Sequence, residues 1–396
     1  MKIRFAERAA NLRASEIREI LKLTEMPEVI SFAGGLPAPE LFPVAEITQI
    51  TAQVLATQGQ AALQYSPTEG FPQLREIIAK ERMIRARVMV AAEDILITAG
   101  SQQGIEFCGR LFLDKDDYVI CESPTYLGAI NAFNSCQPRY LEIPMDEEGM
   151  IISELEKTLA QHPEAKMIYT VPDFQNPTGR TMSVARRQQL AKLAARYQIP
   201  VIEDNPYGEL RFEGDSYPAI KSFDDEGWVI YLGSFSKTFC PGYRIGWMCA
   251  NPDILRKFVL MKQASDLQCS SIAQREIALY MQQYNLNEHI AQIRQVYKQR
   301  RDLMLESIRK YFPATVKYTI PEGGLFTWVE LKDGIDAARL LDEALQEKVA
   351  FVPGAPFFPN THHRNFLRLN YSNMQEERIV EGIRRLGLVL QRHYQW

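Results

Sequence analysis

Gly233-Ser234-Phe235-Ser236-Lys237-Thr238-Phe239-Cys240-Pro241-Gly242-Tyr243-Arg244-Ile245-Gly246-Trp247 follows the apolar run Val229–Leu232 and surrounds one amine with hydroxyls, an arginine and turn residues. A doubly charged phosphate wants hydroxyl and backbone N–H donors and a cation, which Ser234, Ser236 and Arg244 can supply. Lys237 is then left for covalent work. A polar loop with a surface lysine would explain S-x-S-K alone. An S-x-x-K acyl-enzyme motif, Ser234 to Lys237, fails on context: no S-D-N follows, and Lys237-Thr238 leads to Phe239 where K-T-G requires glycine.

Working outward, the run before this stretch is one of seven that alternate with amphipathic, helix-like segments: Asp94–Ile97, Tyr118–Cys121, Arg139–Ile143, Met167–Val171, Pro200–Glu203, Val229–Leu232 and Arg244–Cys249. The alternation predicts an α/β fold, a mainly parallel seven-stranded sheet flanked by helices, with ligands gathered at the carboxyl ends of its strands. Beyond residue 250 the pattern turns to long helices, Asp253–Ser265 and Asn285–Tyr311, then mixed strands and helices, which reads as a smaller α+β domain. The expected division is residues 1–44 as an N-terminal segment packing on the small domain or a partner subunit, 45–285 as the large domain, and 286–396 as the small C-terminal domain.

The ends of the predicted strands carry the next candidates. Thr98-Ala99-Gly100-Ser101-Gln102-Gln103-Gly104 opens a helix, where backbone N–H groups and the Ser101 hydroxyl make an anion site. Pro124-Thr125-Tyr126, Asn176-Pro177-Thr178-Gly179 and Asp204-Asn205-Pro206-Tyr207 follow the next strands. Asn-Pro alone would suit a plain turn, Asp204 alone a helix N-cap, and Tyr126 alone core packing. In Phe366-Leu367-Arg368-Leu369-Asn370-Tyr371 the alternation puts Arg368 opposite its leucines, and by periodicity facing solvent.

Taken together, these motifs resemble the class I and II aminotransferases, the fold type I pyridoxal-phosphate enzymes. The likeness spans nearly the whole chain. It implies pyridoxal 5'-phosphate as cofactor, a Schiff base on Lys237, Asp204 on the pyridinium nitrogen, Asn176 and Tyr207 on the ring oxygen, and Tyr126 stacked on the ring. Ser101, Gln102, Ser234, Ser236 and Arg244 would hold the phosphate, and Arg368 the substrate α-carboxylate, with Asn176 and Gly35 beside it. Ser31-Phe32-Ala33-Gly34-Gly35-Leu36-Pro37 and Leu63-Gln64-Tyr65-Ser66-Pro67-Thr68-Glu69-Gly70 are similar to the 2-aminoadipate and kynurenine aminotransferase subgroup. That similarity implies a homodimer with shared active sites, Tyr65 reaching the neighbour's phosphate. It also implies Arg18 and Ser15, on the helix-like stretch Ser15–Thr24, at the substrate's side-chain carboxylate. The expected reaction moves the amino group of glutamate, 2-aminoadipate or an aromatic or branched apolar amino acid to a 2-oxo acid such as 2-oxoglutarate.

Composition fits this. The 396 residues are 46% hydrophobic and 24% charged with a net charge of −4, giving no basic face for nucleic acid or anionic membrane. The N-terminus lacks the apolar core of a signal peptide, and no 18 apolar residues run together. The six cysteines form no C-x-x-C pair, and the five histidines no metal-ligand spacing, so reduced thiols in a cytoplasmic, metal-free protein are expected. Two rivals remain: another reaction on the same cofactor, such as β-elimination or decarboxylation, and a cofactor-sensing regulator. The latter needs a DNA-binding module, for which the thirty or so residues before Ser31 are too few.

Overall fold

The computed structural model describes residues 3–11, 28–361 and 363–394. Ser15, Arg18 and the helix expected around them lie outside the described residues. After strand β1 (Ile30–Ser31) and the helix Val44–Ala62, the chain builds a central sheet. Its strands are β2 (Ile95–Thr98), β3 (Tyr118–Ser123), β4 (Arg139–Asp146), β5 (Gly149–Met150), β6 (Met167–Thr170), β7 (Val201–Asp204), β8 (Val229–Ser234) and β9 (Gly246–Cys249), in the order β2-β9-β8-β7-β6-β3-β4-β5. Neighbours from β8 through β4 run parallel, while β9 is antiparallel to β8 and β2, and β5 to β4.

All seven expected strands are present, and β5 adds a two-residue edge that is too short to leave a period in the sequence. One boundary moves. Arg244, expected to open the last strand, precedes it in a left-handed conformation, φ 52° and ψ 44°, after the short turn Pro241–Tyr243. No strand residue adopts those angles, so pairing begins at Gly246.

β2, β6, β7, β8 and β9 are buried along their whole length, as expected of strands covered on both faces. Ile230 and Leu232 of β8 face a cluster with Ile105 and Phe107 of the helix Ser101–Phe112. Val229, with opposite parity, packs with Ile168, Val201 and with Leu190 and Ala194 of the helix Val184–Tyr197. Each such leucine contributes about 1.5–3 kcal/mol by leaving water. Truncating Leu190 to alanine would cost about 2–5 kcal/mol, because the cavity adds to the lost transfer energy.

Helices Pro252–Ser265, Ser271–Gln283 and Leu286–Tyr311 then lead out of the sheet. Each starts on a side-chain cap, from Asn251, Ser270 and Asn285 in turn. The C-terminal part holds β10 (Lys317–Tyr318), β11 (Phe326–Glu330), β12 (Val349–Ala350), β13 (Val352–Pro353) and β14 (Phe366–Asn370), with helices Ala337–Gln346 and Glu376–Tyr394. Four of these strands form an antiparallel sheet, β10-β11-β14-β13, while β12 pairs in parallel with β1. Helix Glu376–Tyr394 lies so close to the end of Leu286–Tyr311 that a Cβ on Gly387 would sit 2.6 Å from the Tyr311 carbonyl oxygen, so only glycine fits there.

The periodicity reading of Arg368 is overturned. β14 is buried beyond its first residue, and Arg368 is 2% exposed. Both faces of this strand are covered, one of them by parts of the chain more than 150 residues away, which alternation within the strand cannot reveal.

Candidate active site

Lys237 leaves the turn after β8 and donates from Nζ to the Gly35 carbonyl oxygen at 2.5 Å. Burial, and next the charges of Arg368 and Arg244, lower its ammonium pKa to about 8. An amine so depressed is partly neutral near pH 8 and therefore nucleophilic.

Asp204 ends β7 and is 2% exposed. Its Oδ2 accepts from the Tyr169 hydroxyl at 2.8 Å, while Oδ1 is buried without a hydrogen-bond partner among the described residues. Burial pushes this carboxyl up to about 7. A buried acceptor left open is a costly feature that a ligand donor would relieve.

Arg368 is the matching open cation. Nη1 donates to Asn176 Oδ1 at 2.8 Å and Nη2 to the Ala33 carbonyl at 2.7 Å, while the guanidinium lies over the Phe326 and Phe357 rings. Its Nε is buried and unpaired, and no carboxylate lies within 4 Å of it among the described residues. Burial lowers its pKa to about 10. Tyr207 packs edge-on against Phe326, and burial raises its hydroxyl pKa above the ordinary value. Burial also raises Tyr126 to about 12, with the Asp204 charge adding.

The hydroxyl-rich end is preassembled. Ser234 Oγ donates to Ser236 Oγ at 2.9 Å and accepts from the Ser236 backbone N–H at 3.1 Å. The left-handed turn at Arg244 sends its guanidinium to Ser236 Oγ and to the Ala99 carbonyl, each at 3.3 Å. Gly100 must be glycine, since its φ is +73° and a Cβ would meet Arg244 Nη2 at 2.6 Å. Ser101 is the first residue of the helix Ser101–Phe112, and Gln102 donates to the Gly128 carbonyl at 2.8 Å with Tyr126 Oη 3.4 Å from its Oε1. Tyr65 stands apart, 77% exposed, its side chain making no hydrogen bond or ring contact among the described residues.

Sequence reasoning missed the support beneath Asn176. Glu122 of β3 is buried; it accepts from Thr170 Oγ1 at 2.5 Å, Gln175 Nε2 at 3.1 Å and the Val171 N–H at 3.3 Å. Gln175 also donates to the Pro124 carbonyl and accepts from Thr178 N–H and Oγ1. One carboxylate thus fixes the loops that carry both Asn176 and Tyr126. An acidic residue inside an apolar strand was the only signal available.

The site therefore joins a nucleophilic lysine, an open buried carboxylate, an open buried guanidinium and an anion cup, a donor set that fits a phosphorylated pyridine aldehyde and an amino-acid carboxylate. Residues 28–386 match the family model "Aminotransferase class I and II", and the chain belongs to that family. It is 45% identical to the aromatic-amino-acid aminotransferase 1 of Thermococcus litoralis, covering 97% of this chain and 93% of that one. The 2-aminoadipate transaminase of Thermus thermophilus is 41% identical, covering 98% and 96%. Among solved structures, the kynurenine aminotransferase of Pyrococcus horikoshii in complex with PMP superimposes with a TM-score of 0.95 at 44% identity, covering 99% and 98%. The protein is a pyridoxal-5'-phosphate-dependent aminotransferase of fold type I.

Proposed function

We propose that the chain transfers amino groups from both acidic and aromatic or branched apolar L-amino acids to 2-oxoglutarate, with the site residues in the roles their geometry suits. The observation that carries the assignment of roles is the buried guanidinium of Arg368, which faces Lys237 with no carboxylate of its own. A bidentate substrate carboxylate would supply the missing charge and fix the amino group near Nζ.

When bound, the cofactor offers a ring that accepts the electrons released at the substrate's α-carbon. Asp204 Oδ1 would hold a proton on the ring nitrogen, and Asn176 and Tyr207 would hold the ring oxygen. Tyr126 would cover the ring face. Ser101, Gln102, Ser234, Ser236 and Arg244 would bind the phosphate. Lys237 Nζ would hold the cofactor covalently and, as a free amine, would accept the substrate's α-proton. Gly35 O steadies that amine beforehand.

The breadth of donors rests on the subgroup resemblance and on relatives named for aromatic, 2-aminoadipate and kynurenine substrates. Arg18 and Ser15 would meet an acidic side chain. We further propose a cytoplasmic homodimer in which Tyr65 reaches the neighbour's phosphate, its exposure leaving it available for that contact. The division at residues 44 and 285 is proposed with it; β1 pairs with β12, which ties the N-terminal segment to the C-terminal unit. Among the described residues no helix is long and apolar enough to cross a membrane.

A panel of amino donors assayed against 2-oxoglutarate tests the reading. Glutamate or 2-aminoadipate and at least one aromatic donor should each support turnover with ping-pong kinetics and stoichiometric amination of the cofactor. Release of ammonia or carbon dioxide in place of cofactor amination would mean a different reaction.

A further inference from the structure

A cavity of about 130 Å³ opens beside the loop after β8, lined by Ser234 and Thr238 but by none of Lys237, Asn176 or Arg368. Arg82, Arg85 and Arg294 line it from other elements. Its two carboxylates are already engaged. Asp173 pairs with Arg187 at 2.7 Å and accepts from Asn205 at 2.9 Å, and Glu209 pairs with Arg82 at 2.9 Å.

The uncommitted groups are donors. Arg85 is exposed and makes no ion pair or hydrogen bond among the described residues. Arg294 spends Nε on the Glu209 carbonyl at 2.6 Å and has no carboxylate within 4 Å among the described residues. Burial holds its guanidinium below the ordinary range; Glu209 opposes this and the like charge of Arg85 adds to it. Deeper in, Tyr231 is 6% exposed and Thr238 buried, their hydroxyls unpaired among the described residues, and Arg82 Nε is buried without an acceptor. Two like-charged guanidiniums close enough to feel one another, lining one cavity with unpaired hydroxyls, favour an anion between them.

We propose that this cavity is a second anion site, distinct from the cofactor's, which takes a small phosphate-class dianion between Arg85 and Arg294 with Tyr231 and Thr238 beneath it. Because Ser234 and Thr238 flank Lys237 in the chain, an occupant stiffens the loop that carries the lysine.

The test uses cofactor-saturated enzyme, so that the cofactor's own phosphate site is filled. Inorganic phosphate and methyl phosphate are titrated against chloride at equal ionic strength while thermal unfolding is followed. Wild type should gain about 2 °C or more at saturation, and the Arg85→Gln/Arg294→Gln double variant should lose that gain with its basal turnover unchanged. Tyr231→Phe should weaken the response by several-fold in half-saturating concentration. A gain with inorganic phosphate alone assigns the free ion, and one with both assigns phosphate monoesters as well. An equal gain in the double variant, no gain in wild type, or a gain seen only in cofactor-free enzyme would each overturn the proposal.

Discussion

Replacing Asp204 by asparagine separates what this carboxylate costs from what it does. Its pKa stands at about 7, against 3.8 ordinarily, because burial disfavours the charge. Holding it ionised above pH 7 therefore costs the cofactor-free fold ~4 kcal/mol, at about 1.4 kcal/mol per tenfold in proton affinity. For an acid whose folded pKa is raised, the penalty is absent below 3.8, grows as pH climbs to about 7 and is complete above that. Cofactor-free Asp204→Asn should thus gain stability over wild type at pH 8 and gain little at pH 4, as measured by urea unfolding at both pH values. The loaded variant should behave in the opposite sense. A neutral amide cannot hold the ring-nitrogen proton, so the single-turnover half-reaction with glutamate should slow by up to about a thousandfold, the kinetic equivalent of ~4 kcal/mol. Equal stability gains at the two pH values, or a half-reaction within a few-fold of wild type, would refute the pairing of Asp204 with the ring.

Lys237→Ala should abolish transamination and the absorbance of the lysine-bound cofactor while retaining much of the cofactor affinity, since the proposed phosphate and ring contacts would remain; turnover without added amine would contradict its role. Arg368→Gln should raise KM for every amino donor by about a hundredfold, the scale of losing a bidentate charged contact, and an unchanged KM would place the α-carboxylate elsewhere. Arg18→Ala should raise KM about tenfold for glutamate or 2-aminoadipate and leave apolar donors nearly unchanged; equal losses for both classes would assign that segment a structural part only. Glu122→Ala should release the Asn176 and Tyr126 loops together, lowering kcat about tenfold or more and weakening cofactor binding, whereas a fall in thermal stability with unaltered kinetics would confine Glu122 to the fold.

The sheet was legible because buried parallel strands write themselves as short apolar runs, and the family because its motifs sit at their ends. Asp204 follows such a run directly, Ser234 two residues after one and Asn176 five. Arg368 was not legible by period, since what buries its outer face, the Ala33 carbonyl and Asn176, lies far along the chain. The left-handed turn at Arg244 was hidden for a different reason: Ile245-Gly246-Trp247 continues smoothly into a strand pattern, and only the reach of the guanidinium to Ala99 demands the kink. Glu122 escaped notice because its partners, Thr170, Val171 and Gln175, come from a neighbouring strand and the loop that follows it.

The pairing of β1 with β12 has a mechanical consequence. Ile30 and Ser31 are laced to Val349 and Ala350, the Asn370 N–H bonds the Phe32 carbonyl, and Arg368 holds the Ala33 carbonyl. Gly35, whose oxygen rests on Lys237, follows two residues later. The carbonyl that touches the lysine and the guanidinium that faces it are thus two points on one backbone strap, which Asn176 also ties to the loop after β6. A load applied at either point is felt at the other, and amides 30–33 should exchange with deuterium in step with those of 349–352.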